Sequence, residues 1–306
     1  MSEKPLVSII IPLYNGSNFV EKAIQSALAQ TYSPVEIIVV NDGSTDNHAG
    51  RMICEKYSDS IFYYEKENGG CASALNFGIR HARGELISWL SHDDLYKPEK
   101  VEKQVALYKK YGLKAGNTII SSPASLIGAD GRMIFHLDSK NVGFYPPMEA
   151  FSYILLKECP NGCGLLIPKR CFETYGFFDE HLRFVLDWNL WLKFAISGVD
   201  FYFDNEKLVY SRVHDMQVTV REKERHATET DYTVDKLMGF IIQNERNPAY
   251  LRLLYYFSFS CQHGDTKGIY KCLQSQDIKI NYLKIILLRM KRSIRQFLRE
   301  IYHRIR

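Results

Sequence analysis

Four short, largely apolar runs, each followed by a turn and a stretch of helical periodicity, constrain this chain more than any other feature. They lie at residues 7–13, 35–40, 61–64 and 86–90. Runs of that length bounded by turn residues have the pattern of strands buried on both faces. Between the first two, Ser17 or Asn18 is placed to cap a helix through Gln30, with Val20, Ile24, Ala27 and Leu28 on one face. A second helix follows residues 41–46 and runs to about Tyr57. Gly69-Gly70 opens a third through Arg83, and Lys97-Pro98-Glu99 starts a fourth with Pro98 at its first position. Strand and helix alternating through short links give an α/β chain: a mainly parallel sheet with helices on both faces.

The middle of the chain changes character. Short strands are expected at 118–122 and 125–128, with a hairpin through Ala129-Asp130-Gly131 into 132–136. Residues 138–147, with Gly143 and Pro146-Pro147, read as a surface loop. Helices are expected at 147–157, at 168–175 and from Asp187, and strands near Phe201 and at 208–213. Beyond about residue 220 the pattern is wholly helical. A chain of 306 residues can bury a full core.

Seven scattered cysteines without a Cys-x-x-Cys pair point to free thiols in a reducing compartment. No basic stretch leads into an apolar one at the N-terminus, and no apolar run approaches the ~20 residues that span a bilayer. A cytoplasmic protein is expected. The net charge of +4 is unevenly placed: residues 283–306 hold eight Lys/Arg against Glu300, leaving the remainder at −3. In that tail Leu287, Met290, Ile294, Phe297 or Leu298, Ile301 and Ile305 recur at helical spacing. A basic amphipathic helix fits the anionic inner face of a membrane, and the alternative is a helix packed on protein. No nucleic-acid-binding motif accompanies the charge.

The fourth run ends in Ser91-His92-Asp93-Asp94. Adjacent carboxylates at the C-terminal end of a strand sit where α/β sheets place ligands, and a divalent cation carrying a phosphorylated substrate would hold two like charges together. A solvated turn is the plainer alternative. Asp42 ends the second run on the same sheet edge. It can accept a base N–H or a ribose hydroxyl, or it can cap the next helix.

The segments Ile9-Ile10-Ile11-Pro12-Leu13-Tyr14-Asn15 and Glu36 to Asp46 resemble the opening of family 2 nucleotide-sugar glycosyltransferases. So do Glu67-Asn68-Gly69-Gly70, Ala74, Asn76, Gly78, Ala82-Arg83-Gly84-Glu85 and Asp93-Asp94. The resemblance spans about residues 5–215 and implies the GT-A fold. Residues 1–219 would form the glycosyltransferase domain, with a nucleotide-binding half at 1–115 and an acceptor half at 116–219. Residues 220–306 would form a helical extension. By the same resemblance Pro12, Tyr14, Asp42, Asn68, Gly70, Asn76, Asp93 and Asp94 serve the donor, and Asp93 binds a metal bridging its diphosphate. Ser91 stands where that element begins with an acid, and Leu75 where many relatives carry Arg. Oxygen-rich ligation implies Mg²⁺ or Mn²⁺.

Asp187, in Leu186-Asp187-Trp188, takes the position of the catalytic base, with a helix N-cap as the plainer role. Arg212-Val213-His214 resembles an Arg-x-His element whose His completes the metal shell or meets the diphosphate. The resemblance implies an inverting enzyme that moves a sugar, most simply from UDP, to a glycan or lipid-linked acceptor in cell-surface polysaccharide synthesis. A nicotinamide dehydrogenase is disfavoured because Tyr14-Asn15-Gly16-Ser17 replaces the GxGxxG turn. A non-catalytic sugar- or partner-binding module is the remaining alternative, kept open by Ser91 and Leu186.

Overall fold

The protein is described by a computed structural model over residues 4–112, 117–136, 142–214 and 223–281, with four further positions between 283 and 290. Strands β1 (Val7–Leu13), β2 (Val35–Asp42), β3 (Phe62–Lys66) and β4 (Leu86–Trp89) alternate with helices α1 (Val20–Leu28), α2 (Ala49–Glu55) and α3 (Cys71–His81). They pair in parallel, in the order β3-β2-β1-β4. Successive side chains of a strand point to opposite faces. In β1, Val7, Ile9, Ile11 and Leu13 join the core under α1 and α2, while Ile10 joins the core under α3. The strand is buried on both sides, which is why it reads as a continuous apolar run.

After β4 come β5 (Leu95–Tyr96), α4 (Lys100–Leu107), β6 (Thr118–Ser121), β7 (Ala124–Ile127), β8 (Met133–His136), β9 (Gly143–Tyr145) and α5 (Pro147–Leu156). These are followed by β10 (Leu165–Pro168), α6 (Lys169–Tyr175), α7 (Leu186–Ile196), β11 (Asp200–Phe203) and β12 (Val209–Arg212). The main sheet continues past β4 as β10-β6-β11-β9, with β10 antiparallel to both β4 and β6. A second sheet, ordered β5-β12-β7-β8, packs beside it. This mixed α/β architecture, with a mainly parallel half flanked by helices, is the expected fold class.

Several local expectations are corrected. No side chain caps α1; the amides of Phe19 and Val20 bond the Gly16 carbonyl instead. Pro98 precedes α4 rather than opening it, and β5 intervenes between the acidic cluster and that helix. The expected loop at 138–147 contains β9, and residues 137–141 lie outside the described residues. Strand β10 was not expected at all. Four residues ending in proline carry no periodicity, and only their antiparallel pairing with β4 and β6 makes them a strand.

The expected helical C-terminal extension is present as α8 (Lys223–Gln243), α9 (Ala249–Cys261) and α10 (Thr266–Ser275), and it packs on the rest of the fold. Val234, Leu237, Ile241, Leu254 and Leu273 share one core with Phe151 and Trp191. All seven cysteines are free thiols. Among the described residues no helix is long and apolar enough to cross a membrane.

Two buried polar networks hold β1 and β4 in place. Glu36 receives bonds from the Ser8 hydroxyl, the Arg83 and Gly84 amides and the Arg83 guanidinium. Burial alone would raise its carboxyl, but the Ser8 and Arg83 bonds hold it below the usual range. Lys100 is wholly buried and donates to Ser88 Oγ and Gln104 Oε1, each at 2.7 Å. Burial pushes its ammonium down to about 7.

Candidate active site

Strand β1 lies between β2 and β4, so the chain leaves it towards opposite sides of the sheet. The crevice beyond such a switch point is where open α/β sheets bind ligands. Three loops meet there. Asn15, at φ 49°, joins the first to the second: its Oδ1 accepts from the Thr45 amide at 2.7 Å, and its own amide donates to Ser44 Oγ at 3.0 Å. Gly16 joins the first to the third. A Cβ there would stand 2.0 Å from the His92 ring, so only glycine lets the loops close. Pro12 is buried at the end of β1, with its carbonyl 3.3 Å from His92 Nδ1, while Tyr14 is exposed at the mouth of the crevice.

Asp42 is buried at the end of β2 and does not cap α2, whose N-cap position is taken by His48; Asp46 accepts from the Gly50 amide in the first turn. The Asp42 carboxylate instead clasps the loop before α3. Lys66 Nζ lies 2.8 Å from its Oδ1, the Gly69 amide donates to Oδ1 at 3.0 Å, and the Gly70 amide to Oδ2 at 2.6 Å. Asn68 adds a bond from its side-chain amide to the Asp42 carbonyl. A carboxylate offers about four acceptor sites, and these bonds fill three of them.

Asp93 and His214 meet across the crevice, with His214 Nε2 3.0 Å from Asp93 Oδ2. His214 follows β12, and its ring packs on Phe19 at 5.0 Å between centroids. Its Nδ1 is buried and has no hydrogen-bond partner among the described residues. Arg212 fixes this loop pair from beneath: its Nε donates to the Asp93 carbonyl and its Nη1 to the carbonyls of Gly128 and Ala129. Asp94 turns the other way. It is buried, its Oδ1 accepts the Arg212 amide at 2.8 Å, and burial followed by the nearby Asp93 charge pushes its carboxyl up. It therefore shapes the loop from below. Gln217 and Thr219, beyond the Arg-x-His segment, lie outside the described residues.

Asp187 sits in the first turn of α7, one residue inside it. Val185 occupies the N-cap position, so the plainer alternative of an N-cap does not hold. The Trp188 amide donates to Asp187 Oδ1 at 2.7 Å. Burial outweighs that bond and pushes the carboxyl up to about 6. Trp191 belongs to the core; Trp188 packs on Phe257 and points its Nε1 at the Ile154 carbonyl.

The partly buried thiol of Cys71, in the first turn of α3, locates these groups relative to one another. Burial raises it to about 12, and the charges of Asp187, Asp42 and Asp93 act on it in that order, opposed by Arg183. Three carboxylates from distant parts of the chain thus lie near enough to the start of α3 to act on one thiol.

Asn76 differs from expectation. It is 1% exposed, and its amide is occupied by the Phe178 amide, the Phe178 carbonyl and Glu180. It holds the 178–180 loop beneath the site and presents no free atom to a ligand. Two residues escaped the sequence reading, Arg183 and Glu229. The Arg183 guanidinium occupies the space beside Gly70, and Glu229 bonds the backbone leading into α7. The first lies four positions before Asp187 and could have been found by extending that motif. The second stands in a helix with no local signal.

Comparison with known proteins gives the family and the fold. Residues 8–128 match the family described as glycosyl transferase family 2. Over 216 residues the chain is 47% identical to an uncharacterized glycosyltransferase of Rickettsia typhi, covering 70% of this chain and 66% of that protein. It is 34% identical over 186 residues to the glycosyltransferase GlyA of Streptococcus pneumoniae, covering 56% of this chain and 25% of that one. The chain therefore spans about two thirds or less of the curated relatives it matches. Its fold resembles that of S. aureus TarS 1–349 in complex with UDP-GlcNAc, with a TM-score of 0.64 at 17% identity, over 83% of this chain and 72% of that one.

Proposed function

This chain belongs, through residues 8–128, to glycosyl transferase family 2, and we propose that it is an inverting transferase using a nucleoside diphosphate sugar, with UDP as the carrier. The observation that carries the reading is the convergence of Asp42, Asp93 and Asp187 on the start of α3 at the strand switch point. Asp42 receives a base N–H on its remaining acceptor site, and Tyr14 flanks the base. Asn68 and Gly70 shape the loop under the donor. Asp187 takes the proton from an acceptor hydroxyl as that oxygen bonds the anomeric carbon, and the bond to the diphosphate oxygen breaks with its electron pair. A hydroxyl is a poor nucleophile until its proton is being removed, and a carboxyl held near 6 by burial is still ionised at neutral pH.

Among the described residues no group of three or more His, Cys, Asp or Glu forms a metal cage. Asp93 and His214 fit Mg²⁺ or Mn²⁺ in another way. Such ions are commonly held by one or two protein ligands, with substrate phosphates completing the shell, and the unpartnered Nδ1 of His214 marks a polar side chain whose bonding is incomplete. When bound, the ion would offset charge on the departing diphosphate. The acceptor is a glycan or lipid-linked hydroxyl, and the setting is cell-surface polysaccharide synthesis.

The direct test is a thermal-shift screen of nucleotide sugars with Mn²⁺ and with chelator. A donor at one hundred times its Kd stabilises the fold by about 2.7 kcal/mol. UDP-linked sugars are expected to raise the melting temperature and to lose that effect in chelator. No shift with any nucleotide sugar would contradict the reading.

The tail suits work at the cytoplasmic face of a membrane. Leu283, Ile286, Leu287 and Met290 are all exposed, at helical spacing; the rest of the stripe lies outside the described residues. The chain is expected to sediment with vesicles rich in anionic lipid and to be released by salt. Each basic side chain at such a surface adds about 1 kcal/mol, so replacing Lys291, Arg292, Arg295 and Arg299 with Gln should abolish sedimentation without slowing donor hydrolysis. Unchanged binding in that variant would contradict a membrane role.

A further inference from the structure

We propose that Arg183 contacts the diphosphate of the donor and that Glu229, from the C-terminal helices, is the positioning residue that holds it there. This rests on reading the crevice as a donor site.

Charge makes the first half of the case. The charges of Asp42, Asp93 and Asp187 all act on the thiol at the start of α3, and a nucleoside diphosphate bound there meets their repulsion. Lys66 is already committed to Asp42 and to the Glu67 carbonyl. Arg183 is different. Its side chain is exposed, and among the described residues its guanidinium has no hydrogen-bond or ion-pair partner. It nevertheless lies over Gly70: a Cβ on that glycine would fall 1.6 Å from Nη1 and 2.5 Å from Cζ. Gly70, at φ 89°, leaves that space open. An uncommitted guanidinium over Gly70, whose amide bonds Asp42, is placed to pair with phosphate oxygens, which its planar fork matches two at a time.

Backbone geometry makes the second half. Glu229 of α8 is 6% exposed, and its carboxylate accepts the amides of three successive residues. The Arg183 amide is 3.0 Å from both oxygens, the Phe184 amide 2.8 Å from Oε2 and the Val185 amide 3.4 Å from Oε2. Arg225, one turn earlier on α8, lies 3.3 Å from the same carboxylate. These amides precede α7 and have no partner within that helix. Glu229 therefore fixes the segment that carries Arg183 into the crevice and leads directly into Asp187.

The test is calorimetric titration of the full chain with UDP and with uridine, at constant Mg²⁺. Arg183→Gln is expected to weaken UDP about 10- to 100-fold and to leave uridine unchanged, because only UDP carries the diphosphate. Arg183→Lys should recover part of the loss. Glu229→Gln should weaken UDP and not uridine, and should add nothing further in the Arg183→Gln background, since the two act as one unit. Arg183 is exposed, so its variants are expected to melt with the wild type and decide the contact whether or not Glu229→Gln folds. UDP affinity unchanged in Arg183→Gln overturns the contact. Losses that add in the double variant overturn the positioning role. A wild type that binds neither UDP nor uridine overturns the donor-site reading itself.

Discussion

Asp187→Asn is expected to lower the transfer rate by ~10²–10⁴ while donor affinity stays at the wild-type level. Asn keeps the oxygen that accepts the Trp188 amide but cannot take a proton from the acceptor. The pH dependence gives a second, independent reading. Burial raises the Asp187 carboxyl from 3.8 to about 6, so kcat/KM should fall tenfold per pH unit below about 6. Stability should move the opposite way. A raised carboxyl means that the folded chain bears the cost of a buried charge above pH 6, and that cost is relieved as pH falls from about 6 towards 3.8. The Asn variant, free of that charge, should melt no lower than the wild type at pH 8 and lose any advantage below pH 6. Wild-type turnover in Asp187→Asn, or a variant that only unfolds, would return the residue to a structural role.

Asp93→Asn is expected to be as damaging by a different route. It neutralises one of the two side chains that face each other across the crevice and so removes the negative charge that a Mg²⁺ or Mn²⁺ ion needs. Donor binding should weaken and turnover fall by orders of magnitude, and excess EDTA should reproduce both effects in the wild type. The fold should be unaffected, because the Arg212 anchor holds the Asp93 carbonyl and not its carboxylate. Asp94 provides the contrast: it is buried, and its carboxylate accepts the Arg212 amide. Asp94→Ala should therefore lower the melting temperature, whereas Asp93→Asn should not. Full activity in EDTA, or in Asp93→Asn, would sink the metal assignment.

The parts of the structure legible in the sequence are those that local physics decides. Strands β1, β2 and β4 are buried on both faces, so their apolar runs announce them, and the end of β2 and the loop after β4 carry Asp42 and Asp93 to one sheet edge. Helix α5 begins at Pro147, as a proline at the first helical position should allow. What stayed hidden depends on contacts between distant segments. Strand β10 exists because of its neighbours β4 and β6, and nothing within Leu165–Pro168 specifies it. Asn76 resembles a site residue by spacing, yet its amide is consumed by the 178–180 loop. Arg183 reaches Gly70 and Glu229 reaches the start of α7 only once the sheet and the C-terminal helices have packed. The C-terminal helices were legible as helices, but their apolar stripes do not say that they cover the core around Phe151 and Trp191.

The central claim is that the crevice at the end of β1 binds and breaks down a nucleoside diphosphate sugar. Measuring UDP release from UDP-sugars, with the wild type, Asp93→Asn and Asp187→Asn in parallel and Mn²⁺ present, tests it most directly. The expected result is UDP release by the wild type, stimulated by an accepted glycan or lipid-linked hydroxyl, and release near background in both variants. Folded wild type that releases no UDP from any UDP-sugar, or variants that release it at the wild-type rate, would contradict the claim.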